Sequence, residues 1–204
     1  MKKMNDFLRI SILLFLISFS CAAQKQSIIN NFDIETFNEN KNNINEYTYL
    51  TKDSTRVEQN RWQFGFEEVI TKNKALLSTY NKYYESGKIK FTGDFFPNDF
   101  EKGIWKEYDE QGNLIKETNY DALYKFTWED ILKLMEERGI EFVNPYLRII
   151  RDLVDGHPYW GITWEDKQIL KLRHIGIDGI NGEIVQDIEK DYPIGGEYGN
   201  EEDE

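Results

Sequence analysis

The chain has 204 residues, of which 40% are hydrophobic and 15% aromatic. This is enough chain for one domain or two small ones with a real core, and the composition excludes a wholly disordered protein. The formal net charge of −12 argues against binding to nucleic acid or anionic lipid headgroups and suits a basic partner. A single cysteine excludes an internal disulfide.

The N-terminal segment is typical of an export signal. A basic start precedes an apolar run over residues 10–19, which is too short to remain as a membrane-spanning helix. Small residues before Cys21 resemble a relaxed bacterial lipobox, although Ser18 stands where a branched aliphatic residue is usual. We therefore predict a signal peptide over residues 1–20 and acyl chains on Cys21 that anchor the protein to a lipid bilayer. Cleavage after Ala23, giving a periplasmic or secreted protein, is the alternative.

Residues 21–60 are predicted to be a flexible polar tether. The segment is rich in asparagine, and no period of 2 or 3.6 residues persists along it. Only Tyr47 to Leu50 has the pattern of a possible strand.

Residues 61–120 are predicted to form antiparallel β-hairpins. Gly87 and Gly112 lie 25 residues apart, and each follows a tyrosine-plus-acid stretch and precedes an aliphatic strand. With Tyr84, Trp105 and Tyr108, this pattern resembles MORN-like repeats over residues 82–118, as found in exported bacterial proteins labelled YwqK-type antitoxins. The resemblance implies hairpins whose aromatic side chains stack from one copy to the next. It implies little about function.

Residues 121–190 are predicted to begin with a helix. Thr127 is a suitable N-cap with Asp130 three residues later, an apolar stripe follows, and Arg138 and Gly139 form the C-terminal signal. The segment from Tyr146 to Val154 fits either a short helix or a strand, and we favour the strand.

The later strands of this region resemble those of a PepSY-like domain over residues 127–187, in which a helix precedes an antiparallel sheet. The matching residues are Tyr159, Trp160, Ile162, Ile177, Asp178, Gly182, Glu183 and Ile184. Such modules are exported and non-catalytic, and they are thought to bind or restrain other envelope proteins. Residues 191–204 are predicted to be an acidic, solvated tail.

The sequence contains little that indicates catalysis. His157 and His174 lie on different predicted elements, and neither completes a catalytic set; a metal site formed by both with Asp155 is conceivable, but no spacing requires it. No cofactor-binding motif is present. Trp160 and Trp164 share a strand face, which suits either a sugar-stacking platform or a core beneath the helix, and we favour the core.

We therefore predict an α+β protein, with antiparallel β-hairpins followed by a helix packed on a second antiparallel sheet. The two β regions could form one continuous sheet. The expected function is that of a non-catalytic lipoprotein of the bacterial cell envelope that binds another exported protein. The alternatives are an immunity or antitoxin-like protein and a glycan-binding lipoprotein. The candidate binding residues are Tyr84, Trp105, Tyr108, Trp160 and Trp164.

Overall fold

Seven strands in chain order form one antiparallel sheet in the computed structural model, which describes residues 31–97, 99–167 and 169–191. A short helix precedes them. These elements are α1 (Ile34–Asn40), β1 (Glu46–Leu50), β2 (Arg56–Trp62), β3 (Gly65–Thr71), β4 (Ser78–Tyr83), β5 (Ile89–Phe96), β6 (Phe100–Tyr108) and β7 (Leu114–Asn119).

A second, four-stranded antiparallel sheet follows, in the order β11-β10-β9-β8. Its elements are α2 (Trp128–Glu137), β8 (Arg148–Val154), β9 (His157–Asp166), β10 (Lys171–Asp178) and β11 (Ile184–Lys190). The predicted α+β class is thus confirmed, with a strand at residues 148–154. The two β regions form separate sheets.

Residues 34–60 are part of the fold, so the predicted tether is wrong for this stretch. Asp33 caps α1 by accepting a hydrogen bond from the backbone N–H of Thr36 at 3.0 Å. Phe37 of this helix is fully buried, and its ring meets that of Phe66 edge-on at 5.5 Å.

Strands β1 and β2 then pair with each other and, through β2, with β3. The buried side chains of Phe37 and Val57 and long-range strand pairing hold the segment. The buried positions of β2 and of the residue before it leave no apolar period in the sequence, because Val57 is flanked by the polar Thr55 and Gln59 at those positions.

The 25-residue repeat is visible in the two hairpin turns. In the β4–β5 turn the N–H of Tyr84 bonds the carbonyl of Lys88, and the N–H of Gly87 bonds the carbonyl of Tyr84, both at 2.9 Å. The β6–β7 turn has the same two bonds at 3.0 Å, with Gly112 in the place of Gly87. Both glycines have a positive φ, +79° and +91°, which a residue with a Cβ adopts only at a cost. The repeat therefore specifies turn geometry as well as composition.

Helix α2 begins with the predicted capping box. The Thr127 hydroxyl accepts from the Asp130 N–H at 3.2 Å, and the Asp130 carboxylate accepts from the Thr127 N–H at 2.8 Å. Gly139, with φ of +66°, follows the end of the helix. Ile131 and Met135 point from α2 into the main core, which includes Trp160 of β9. The helix covers one face of the second sheet, as expected.

Arg151 of β8 connects the two sheets. Its guanidinium pairs with Asp121 at 2.6 Å and donates to the backbone carbonyl of Glu101 in β6. It also lies 5.0 Å from the Phe100 ring and 4.9 Å from the Tyr124 ring. Only 5% of the Arg151 side chain is exposed. This buried cation therefore holds the first sheet against the second.

Candidate binding groove

One face of the seven-stranded sheet carries a groove of about 400 Å³. It lies over β4, β5 and β6. Aromatic rings form most of its walls, and two carboxylates stand at one end. We call it the aromatic groove, and its lining residues are Tyr80, Phe91, Phe95, Phe96, Asp99, Phe100, Glu101 and Trp105.

Strand alternation brings four of these rings, those of Tyr80, Phe91, Phe95 and Trp105, to one side of the sheet. In β5, Phe91 and Phe95 flank Gly93, and Tyr80 of β4 is paired with Gly93. Because successive side chains point to opposite faces of a strand, alternate positions share a face. The Trp105 indole of β6 lies directly over Gly93, so that a Cβ at this position would overlap the ring. Glycine here allows the indole to lie flat against the backbone.

The rings are fixed at angles to one another. Tyr80 is roughly parallel to Trp105, with ring centroids 6.2 Å apart, whereas its ring is inclined by 74° to Phe91 and by 88° to Phe95. The Trp105 indole N–H donates to the carbonyl of Asp94 at 2.9 Å, and this ring is buried. Tyr80, Phe91 and Phe95 remain half-buried. The groove therefore has pre-positioned apolar walls and no flat open platform.

Glu67 and Lys82 lie beside Tyr80. Burial raises the pKa of Tyr80, and the hydrogen bond and negative charge of Glu67 raise that pKa further, so the hydroxyl stays protonated at neutral pH. Glu67 is itself neutralised by Lys82 at 3.2 Å. The charges at this side of the groove are therefore balanced.

At the acidic end of the groove the charges are not balanced in this way. Among the residues that the structure describes, Asp99 and Glu101 form no ion pair within 4 Å. Burial raises the pKa of Asp99, against a weak hydrogen bond from the Ile149 N–H at 3.4 Å and the more distant charge of Arg148. Glu101 is exposed and is paired in register with Phe95 of β5, so its side chain projects on the groove face. This end presents negative charge beside apolar rings.

Three of the predicted binding residues lie in the repeat hairpins. Trp105 is in the aromatic groove. Tyr84 is half-buried, and its hydroxyl donates to the backbone carbonyl of Tyr108 at 2.8 Å, which joins the two copies of the repeat. Lys90 lies 5.3 Å from the centre of the Tyr84 ring. Tyr108 is buried, so its contact with Tyr84 stabilises the hairpins and leaves no ring face for a ligand.

The two tryptophans of β9 lie in the core. Trp160 is fully buried, and its indole N–H donates to the carbonyl of Phe126 at 2.9 Å. Trp164 is 7% exposed. Trp160 therefore offers no free face to a ligand, which corrects its assignment as a candidate binding residue, and only a small part of Trp164 is exposed, in a cleft where α2 ends. The physical reason is that α2 packs on this face of the sheet. Cys21, the predicted lipid attachment site, lies outside the described residues.

Three groove residues, Tyr80, Phe91 and Phe95, are not among the binding residues predicted from the sequence. Their signal was the alternation of aromatic residues about Gly93, which by itself fits a buried strand face equally well. Strand pairing and the exposure of the rings distinguish the two cases. Phe100 is a buried member of the main core, and Phe96 packs against that core, so both rings link the groove to the core.

The histidines have separate local partners. His157 Nε2 lies 2.8 Å from the Asp178 carboxylate. His174 Nδ1 lies 2.8 Å from the Thr163 hydroxyl, and burial lowers its pKa, so the ring is neutral at pH 7. Within residues 31–97, 99–167 and 169–191, no cluster of three or more histidine, cysteine or acidic side chains could hold a metal ion.

A more polar cleft of about 340 Å³ lies where α2 ends. Arg173 lines it, but this side chain is already engaged by Asp187 at 2.9 Å and lies 3.9 Å from Asp166. The cleft has one aromatic ring in its lining, that of Trp164, whereas the aromatic groove has six, so the aromatic groove is the better candidate site.

No helix in the described part of the chain is both long and apolar enough to cross a membrane. No protein-family model matches the sequence, and no curated protein or solved structure is significantly similar to it. The MORN-like and PepSY-like resemblances therefore stay predictions.

Proposed function

We propose that this chain is a non-catalytic binding module that holds another exported protein in the aromatic groove. The observation that carries the proposal is a set of half-buried aromatic rings on one face of the sheet, held in place by strand pairing. Aromatic side chains that are already ordered lose little conformational entropy on binding, and they supply large apolar contact areas.

The angles between the rings favour a protein partner over a glycan. A sugar stacks on an open, flat ring face, but Trp105 is 6% exposed, and Tyr80 is steeply inclined to both Phe91 and Phe95. Such a concave arrangement suits an aliphatic or aromatic side chain that enters between the walls. A glycan-binding lipoprotein is for this reason the weaker alternative.

The sequence pattern at residues 1–23 adds export and membrane anchoring to the proposal. In this proposal the signal peptide is removed, Cys21 carries acyl chains, and the module faces its partner at the cell envelope. An immunity or antitoxin-like role is the special case in which the partner is a basic toxin, which the net charge of −12 would suit.

The test compares envelope proteins that bind the immobilised, processed protein with those that bind its Phe91→Ala/Phe95→Ala variant. The matched control is Leu114→Ala/Ile115→Ala, which removes exposed apolar side chains from β7 outside the groove. We expect a stoichiometric partner with the wild type and the control, and its loss with the groove variant. Circular dichroism and melting temperature show whether each variant is folded. Equal retention by all three folded proteins would contradict the proposal.

A further inference from the structure

The acids on the groove face of strands β3 to β6, and in the turn between β5 and β6, fall into two groups. Glu67 pairs with Lys82 at 3.2 Å, and Glu107, which stands opposite Phe91, pairs with Lys116 at 3.0 Å. The carboxylates of Asp99 and Glu101 have no such cation within 4 Å in the described part of the chain. Within β3 to β6 and the β5–β6 turn, the groove-face acids without an ion pair are the two that line the groove.

Asp99 is also partly removed from water. It lies where the aromatic groove meets a second cleft of about 390 Å³, which is lined by apolar residues such as Phe96 and Phe142 and also by Arg148, whose guanidinium is too far from Asp99 to form an ion pair within 4 Å. Placing a carboxylate in such surroundings without a close cation costs free energy, and a cation supplied by a ligand recovers part of it. The raised pKa of Asp99 has the same physical origin.

The apolar and acidic parts of the site are adjacent. Phe95 is paired in register with Glu101, and Phe96 lies between the groove and the second cleft. A ligand that fills the groove with an apolar group can thus place a positive charge against Asp99 and Glu101. Lysine and arginine combine an apolar stem with a charged end, and the net charge of −12 favours the approach of a basic surface.

We infer that the partner presents a basic peptide segment, in which a lysine or arginine lies next to an aliphatic or aromatic side chain. The apolar side chain occupies the aromatic groove, and the cation binds Asp99 and Glu101. This inference rests on the proposed function, since it names the chemistry of the partner that the groove would hold.

An array of random hexapeptides, probed with the processed protein, tests the inference. The decisive variant is Asp99→Asn/Glu101→Gln, which removes the two charges while keeping the size of the side chains. The control, Glu110→Gln/Glu136→Gln, removes two exposed charges outside the groove and so has the same net charge. The variant Phe95→Ala tests the apolar part of the site.

We expect the wild type to select peptides with lysine or arginine beside an apolar residue. The affinity for these peptides should fall about tenfold in Asp99→Asn/Glu101→Gln and stay near the wild-type value in the control. An equal fall in both charge variants would overturn the inference, because it would show only long-range attraction.

The outcomes also separate the inference from the proposed function. Selection of apolar peptides without a preference for basic residues, lost in Phe95→Ala, would overturn the basic segment and leave the groove as a protein-binding site. No difference between the wild type and a folded Phe95→Ala variant would overturn both. Binding of polysaccharide in place of peptides, lost in Phe95→Ala, would also overturn both and indicate the glycan-binding alternative.

Discussion

Replacing Arg151 should destabilise the protein far more than replacing an exposed arginine. In Arg151→Ala the carboxylate of Asp121 loses a partner at 2.6 Å, and the Glu101 carbonyl loses its donor. Removal of one partner from a buried ion pair costs about 3–5 kcal/mol. Asp121 keeps Lys102 at 3.2 Å, and its side chain is 35% exposed, so we expect the lower end, about 3 kcal/mol.

A second substitution of Arg151 separates the contribution of its charge from that of its packing, and an exposed arginine serves as the control. Arg151→Met retains an apolar stem against the rings of Phe100 and Tyr124, so it should cost about 1 kcal/mol less than Arg151→Ala. The control is Arg56→Ala, whose arginine is 57% exposed and pairs with Glu58 at 2.9 Å. Exposed ion pairs contribute about 0–1 kcal/mol. Urea denaturation followed by tryptophan fluorescence gives each free energy of unfolding.

The loss of stability caused by replacing Arg151 should also depend on pH. Burial would raise the pKa of Asp121, but hydrogen bonds from Arg151, the Gly103 backbone and Lys102 lower it overall. A lowered pKa in the folded state gives stability that is present above the unfolded pKa of about 3.9 and lost as the pH falls through the folded value. The stability difference between wild type and Arg151→Met should therefore narrow below about pH 4.

A stability loss for Arg151→Ala under about 1 kcal/mol, no larger than the stability loss for Arg56→Ala, would refute the reasoning.

Three other predictions concern backbone and packing. Gly112→Ala should lower the free energy of unfolding by about 1 kcal/mol, because it forces alanine into a positive φ in open space. Gly87→Ala should lower it by about 2 kcal/mol or more, because its Cβ would also lie 3.0 Å from the Phe32 carbonyl. Equal unfolding free energies of the two variants in urea would contradict this difference. Gly93→Ala should displace the Trp105 indole and cost about 1–3 kcal/mol, with a changed near-ultraviolet circular dichroism spectrum; an unchanged spectrum would argue against the close contact. Thr127→Ala should cost about 1 kcal/mol by removing the N-cap of α2, measured by thermal unfolding, and no change in the unfolding free energy would show that the capping box contributes nothing.

The elements that could be predicted from the sequence are those with local signals. The capping box of Thr127 and Asp130 identified the start of α2, and the glycines of the 25-residue repeat identified two turns. In each case the residues that determine the conformation lie within a few positions of one another. Local chemistry alone is then sufficient to predict the helix start or the turn.

The α1–β2 segment could not be predicted in this way. Phe37 is its buried contact with Phe66, 29 residues later in the chain, and the exposed side chains of β1 resemble those of a loop. The information that orders this segment lies in β3, to which β2 pairs. A period search along the chain does not detect such a dependence.

The site required three-dimensional information for a related reason. A strand face rich in aromatic residues is the same pattern whether a helix covers it, as at Trp160, or leaves it open, as at Phe91 and Phe95. Only the docking of α2 decides which face becomes core. Aromatic composition therefore indicated that a packed or binding face exists, but not which strand carries it.

The groove also depends on both sheets, although its rings come from the hairpin region alone. Arg151 of β8 bonds the backbone of Glu101 and lies against the Phe100 ring, and both of these residues line the groove. The Ile149 N–H, in the same strand, donates to the carboxylate of Asp99. The second sheet thus positions the acidic end of a site whose apolar walls lie on the first sheet. The predicted division near residue 120 separates two sheets, but residues of both sheets hold the groove in place.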